Sequence, residues 1–130
     1  MTGADPSQAD VLVIDDSDLA RASMRRALTD AHLRVIDLPS PIGATSAILR
    51  SQVRVVVVDV NMPSIRGDKL AALFRKSARM STIGIILISG TEVEALDRLA
   101  REVGADAVLP KSAGTDALVM KVKALLARPL

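Results

Sequence analysis

Five residues of this chain stand at the ends of short apolar runs. Asp15 and Asp16 follow Val11-Leu12-Val13-Ile14. Asp59 follows Val55-Val56-Val57-Val58, Ser89 follows a run that ends at Ile88, and Lys111 comes shortly after Val108-Leu109. Each has an ordinary explanation when taken alone: an Asp that caps a helix, a Ser in a loop, a Lys in solvent. Together they are three carboxylates, one hydroxyl and one ammonium. Three carboxylates at close quarters repel, and one stays protonated unless a cation neutralises them. Oxygen ligands in that number suit a hard divalent ion. Mg2+ takes one or two carboxylates, keeps several waters and completes its shell with a phosphate oxygen. A metal and a lysine neutralise a transferred phosphoryl group, and a carboxylate can act as its nucleophile. These residues are therefore the parts of a phosphoryl-transfer site.

For the five side chains to meet, the apolar runs must be neighbouring strands that point the same way. Val- and Ile-rich runs do alternate with longer segments of helical period. The pattern predicts strands over 11–14, 33–38, 55–58, 83–88 and 105–109, and helices over 17–31, 42–49, 68–79, 92–103 and 115–127. The first helix places Leu19, Met24 and Leu28 on its apolar side, with Asp16 or Ser17 as N-cap. Gly104 reads as a C-cap glycine and Thr115 as an N-cap. Four consecutive Val at 55–58 require a strand covered on both faces. Five strands alternating with five helices make an α/β domain with a parallel sheet and right-handed crossovers. In such a sheet, sites form outside the carboxyl ends of the strands, where Asp15, Asp16, Asp59, Ser89 and Lys111 stand.

The bulk properties agree with one domain. The chain has 130 residues, 49% of them hydrophobic, and a domain of that size buries roughly 68% of its unfolded surface. There is no Cys, which excludes disulfides, thiolate metal sites and a Cys nucleophile. No apolar run approaches the ~20 residues of a membrane-spanning helix, and the polar start of the chain lacks the regions of a signal peptide. A cytoplasmic location is the default expectation. The net charge is only +2, the basic residues are scattered, and Phe74 is the sole aromatic residue. Single-strand nucleic-acid surfaces rely on aromatic platforms, so nucleic acid is not an expected ligand, and neither is a membrane. His32 is the only His and lies in a helix–strand connection, which excludes Ser-His catalysis. Residues 1–9 read as a flexible leader, 10–127 as the domain and 128–130 as a tail.

From residue 10 to 126 the chain resembles the receiver domains of two-component response regulators. Val57-Val58-Asp59-Val60-Asn61-Met62-Pro63 with Gly67 is similar to the segment that carries the phosphorylated aspartate. The pair Asp15-Asp16, the Ser89-Gly90 step, Gly104-Ala105-Asp106 and Lys111 match the remaining family elements in order. The resemblance implies a flavodoxin-like, doubly wound sheet of order 2-1-3-4-5 between two layers of helices. It implies Asp59 as phosphoacceptor, with Lys111 and Ser89 contacting the phosphoryl group. Asp15, Asp16, Asp59 and the backbone carbonyl of Asn61 would hold Mg2+. It also implies a histidine kinase or histidine phosphotransfer protein as donor, and a downstream protein or attached output domain as target. The helix 4 and helix 5 face, with Glu94, Arg98, Val119 and Lys123 as candidate surface positions, is the expected docking face for a partner, and a homodimer through the helix 4, strand 5 and helix 5 face is a further expected contact. The protein would then be a switch rather than an enzyme.

Two other readings compete. One is a degenerate receiver used only for docking or dimerisation. The other is an aspartate-nucleophile phosphohydrolase, whose Asp-x-Asp pattern after the first strand would need an acid at Ser17. Two positions depart from the family. Val108 stands where receivers usually carry Tyr or Phe. Ser112 follows the lysine where Pro is usual, with Pro110 before it. A cis bond at Lys111-Ser112 would cost ~3–4 kcal/mol, against ~0.5–1 kcal/mol before Pro.

Overall fold

The computed structural model describes residues 8–62, 66–77, 79–90 and 93–128, with no side chain described at 68, 93–96 and 99. Five strands alternate with five helices: β1 (Val11–Ile14), α1 (Asp18–Asp30), β2 (Val35–Leu38), α2 (Ala44–Ser51), β3 (Val55–Asp59), α3 (Gly67–Lys76), β4 (Gly84–Ser89), α4 (Val93–Val103), β5 (Ala107–Pro110) and α5 (Thr115–Leu126). A single 3-10 turn, Lys111–Ala113, joins the last strand to the last helix. The strands form one sheet in the order β2-β1-β3-β4-β5, and every pairing is parallel. This is the doubly wound order implied by the resemblance.

The valine run explains why the sheet is covered twice. Side chains alternate across a strand, so Val56 and Val58 enter one core with Leu12, Ile14, Ile85, Leu87 and Phe74. Val55 and Val57 enter the other with Val11, Val13, Ile86, Leu118 and Val122. All five residues of β3 are buried. The edge strands β2 and β5 are only partly buried. Ala9 is also buried, and its N–H donates to the Ser51 carbonyl at 2.9 Å, so the chain packs from just before β1.

Several boundaries move for local reasons. The Leu33 N–H still closes on the Leu28 carbonyl, so β2 begins two residues later than predicted. The Ala105 N–H closes on the Ala100 carbonyl behind Gly104, whose φ is +77°. That is the left-handed cap expected of this glycine, and it delays β5 to Ala107. Before α2, the Ala44 N–H turns back on the Pro41 carbonyl with Gly43 at φ +86°, so the helix starts at Ala44. Thr115 is the first residue of α5 rather than its cap; Gly114 occupies the cap position without a side-chain bond. Leu19 is 83% exposed and does not join the apolar side of α1. Met24 and Leu28 lie one turn apart and are buried together, whereas five residues of helix rotate Leu19 about 140° away from Met24. The predicted start of α4 at Glu92 lies outside the described residues.

Candidate functional site

β1, β3, β4 and β5 run side by side, so their carboxyl ends share one edge. Register makes the alignment specific: Asp59 pairs with Ile88, and Ser89 pairs with Pro110. The residues that follow these ends are thereby brought together. Asp15 is fully buried and Asp59 is 2% exposed, while Asp16 reaches solvent. Carboxylate oxygens of Asp15, Asp16 and Asp59 lie within 4.8 Å of one another. Lys111 Nζ stands 3.0 Å from Asp15 Oδ2 and 3.6 Å from Asp59 Oδ2. The fully buried Ser89 accepts a hydrogen bond at 3.3 Å from the Asn61 side-chain amide. Every site residue expected from the sequence thus lies at this edge.

Local backbone holds each group. The Asp15 Oδ1 accepts the Ser17 N–H at 2.8 Å, and Ser17 Oγ in turn accepts the Ala20 N–H at 3.2 Å as the cap of α1. Ser17 therefore serves as a helix cap, not as the second acid of a phosphohydrolase pair. Asp59 Oδ1 accepts the Asn61 N–H at 3.0 Å. Gly67 explains why α3 can start where it does. A Cβ at this position would lie 2.3 Å from the Asp59 carbonyl oxygen and 2.9 Å from Val58 Cγ1, so only glycine lets the helix pass against the backbone of Asp59. At Gly90 an added Cβ meets open space.

Burial pushes the Asp59 carboxyl up to about 6 from an ordinary 3.8. The Asn61 N–H and the Lys111 ammonium oppose this, while Asp15 and Asp16 add to it. At Lys111, burial disfavours the ammonium, but its contacts with Asp15 and Asp59 outweigh that and hold its pKa above the usual lysine value. The two shifts describe one imbalance: three acids share one cation. Asp15 Oδ2 is sealed from solvent and, beyond the ion pair, accepts no well-aligned hydrogen bond. A buried carboxylate oxygen held only by an ion pair, beside two more carboxylates, is the donor set of a hard divalent cation, so these residues fit Mg2+.

Sequence reasoning missed Arg21. Its guanidinium reaches the Asp15 carbonyl oxygen at 2.8 Å, Asp37 Oδ2 at 2.9 Å and Asp18 Oδ1 at 2.7 Å. The only signal was an Arg one turn after the cap of α1, which is ordinary on a helix surface. Val108 is half-buried against the Phe74 core, and the Lys111–Ser112 peptide is trans.

The response regulator receiver domain model matches residues 11–123. TorR of Escherichia coli K12, a TorCAD operon transcriptional regulatory protein, is 29% identical over 119 residues, which cover 91% of this chain and 50% of TorR. The transcriptional regulatory protein GltR of Pseudomonas aeruginosa is 26% identical over 118 residues, covering 91% of this chain and 49% of GltR. The chain thus spans about half the length of these curated relatives. Among solved structures, the Vibrio cholerae chemotaxis protein CheY4 superimposes with a TM-score of 0.82 at 23% identity, over 91% of this chain and 98% of that one. A response regulator from Thermotoga maritima gives 0.80 at 21% identity, over 93% and 99%. These structures show the shared fold, and the family match over nearly the whole described sheet adds the assignment: the chain belongs to the response regulator receiver domain family.

Proposed function

We propose that this domain is a phosphorylation-dependent switch of a two-component phosphorelay, with Asp59 as its phosphoacceptor. One observation carries the reading. Asp59 ends the central, fully buried strand, with one oxygen tied to the Asn61 N–H and the other facing Lys111. In the transfer, an Asp59 oxygen forms a bond to phosphorus as the phosphorus–nitrogen bond of a phosphohistidine breaks. The leaving imidazole nitrogen keeps the electron pair and takes up a proton. The donor is a histidine kinase or a histidine phosphotransfer protein.

Lys111 offers its ammonium to the phosphoryl oxygens once Asp59 carries the acyl phosphate, and keeps Asp15 as a counter-charge at 3.0 Å. Asp15, Asp16, Asp59 and the backbone carbonyl of Asn61 would hold Mg2+. When bound, the ion supplies charge neutralisation for the carboxylates and the phosphoryl oxygens. The Ser89 hydroxyl leaves the Asn61 amide for the phosphoryl group and draws the following loop with it. Val108 is β-branched and stiff at χ1 and has no ring to swing inward, so the change in contacts passes mainly through Ser89 to the start of α4. A phosphoryl group biases two states only by contacting them differently. The docking face is α4, β5 and α5, where Arg98 and Lys123 are exposed and Val119 is half-buried; the Glu94 side chain lies outside those described. This face would contact a downstream protein, an attached output domain or a second copy, in the cytoplasm. The domain acts as a switch rather than an enzyme.

The test is incubation with acetyl phosphate or phosphoramidate and Mg2+, read by intact mass. One phosphoryl group is expected on the wild type and none on Asp59→Asn. Equal labelling of the two proteins sinks the assignment.

A further inference from the structure

We propose that Arg21 is a positioning residue that sets the geometry of the acidic pair for cation binding; the proposal rests on the reading that Asp15 and Asp16 hold Mg2+. The guanidinium is a rigid fork, and here each of its nitrogens has a different anchor. Nε donates to Asp37 Oδ2 at 2.9 Å on the neighbouring strand β2. One terminal nitrogen donates to Asp18 Oδ1 at 2.7 Å in the first turn of α1. The other donates to the Asp15 carbonyl oxygen at 2.8 Å. Asp37 is itself held by Arg25 from the next turn of the helix. The Arg21 side chain is only 15% exposed, so this is a seated group and not a solvated surface charge.

The Asp15 carbonyl matters because a peptide unit is planar. That oxygen belongs to the unit that carries the chain from Asp15 to Asp16. Holding it fixes the plane in which the chain leaves β1, and with it the Asp16 Cα from which the carboxylate is presented. The Asp15 side chain is already fixed by the Ser17 N–H and by Lys111. Asp16 is exposed, and its side chain meets only the Asp59 carboxyl among the described contacts. Arg21 constrains the backbone of the acidic pair from behind. It does so without adding net charge, because Arg21 and Arg25 are balanced by Asp18 and Asp37. The effect is therefore one of orientation. Groups that orient ligands from behind typically contribute 10–100-fold to metal affinity.

The experiment is isothermal calorimetry of Mg2+ binding to the full chain at constant ionic strength, with folding checked by circular dichroism. Arg21→Ala is expected to weaken Mg2+ about tenfold or more. Arg21→Lys keeps the charge but cannot reach three acceptors at once, and its dissociation constant should stay close to that of Arg21→Ala. Arg26→Ala removes a positive charge from the same helix at a residue whose described ion pair is with Asp30 at 4.0 Å, and it should bind like the wild type. Should Arg21→Ala not fold, Arg21→Lys and Asp37→Asn carry the test, each with weakened binding. Wild-type affinity in a folded Arg21→Ala, whatever its melting temperature, overturns the proposal and leaves a structural residue only. Wild-type affinity in Arg21→Lys overturns it in favour of charge. A wild type that binds no Mg2+ overturns the reading of the site itself, and the role of Arg21 falls with it.

Discussion

Replacing Asp59 by Asn should stabilise the metal-free domain at neutral pH, by an amount that shrinks as the pH falls. The carboxyl is pushed up to about 6 from 3.8, a shift of roughly two units, each worth about 1.4 kcal/mol. The sign follows from proton uptake. Between pH 3.8 and 6 the folded state binds more protons at this residue than the unfolded state, so its contribution to stability falls as pH rises through that window. Above pH 6 the full cost is present, about 3 kcal/mol at most; below 3.8 it is gone. The amide keeps an oxygen for the Asn61 N–H now accepted at 3.0 Å. It loses the longer contact to Lys111 at 3.6 Å, while Lys111 retains Asp15 at 3.0 Å. The net expected gain is therefore about 1–3 kcal/mol at pH 8, or about 3–15 °C in melting temperature for a domain of this size. Urea unfolding followed by circular dichroism, in EDTA, at pH 8, 6 and 4.5 measures it. The advantage of Asp59→Asn should be largest at pH 8 and largely lost at pH 4.5. Equal stability at pH 8, or a gap that widens on acidification, refutes the electrostatic reasoning.

Other outcomes follow from the same geometry. Mg2+ at millimolar concentration should raise the melting temperature of the wild type through mass action and raise that of Asp59→Asn much less; indifference of the wild type contradicts the cation site. Gly67→Ala puts a Cβ 2.3 Å from the Asp59 carbonyl oxygen and should cost about 2 kcal/mol or more by overpacking, with slower labelling by acetyl phosphate; a neutral effect on both refutes the close approach. Arg75 donates to the carbonyls of Gly104, Ser81 and Ile83 and to Asp106 Oδ2, tying α3 to β4 and to the turn before β5. Arg75→Ala should therefore lower stability by about 2–4 kcal/mol in chemical denaturation, far from the acidic edge and without loss of labelling per folded molecule. Amide shift mapping with beryllofluoride should show its largest changes near Asp59, Ser89 and Lys111, and Ser89→Ala should suppress those at the start of α4. If they persist, or if Val108 and α5 respond most, the signal does not pass through Ser89.

Much of this protein was readable before any coordinates. The run Val55–Val58 required a strand with both faces covered, because no solvent-facing strand carries four adjacent valines. The alternation of such runs with helical segments then required a parallel sheet. Once strands are parallel, residues that follow their carboxyl ends must share an edge, so Asp15, Asp16, Asp59, Ser89 and Lys111 were placed on one edge by topology, and the strand order implied by the family resemblance made them neighbours. Their residue types narrowed the chemistry to phosphoryl transfer with a divalent cation. Tertiary structure decided what depends on distance and direction. Lys111 sits closer to Asp15 than to Asp59, which no spacing in sequence reveals. The demand for glycine at position 67 comes from how α3 crosses the backbone of Asp59, a contact between elements. Arg21 reads in sequence as one more basic residue on a helix; only the folded chain brings the β2 carboxylate of Asp37 and the Asp15 carbonyl within reach of its three donors. Leu19 carries the opposite lesson, since an apolar residue near a helix start faces solvent when its angle about the axis lies off the buried stripe. Sequence pattern determined which elements form and which ends align, because those follow from period and covalent order. Packing between elements determined which side chains touch, because that is set by angles and separations the chain acquires only on folding.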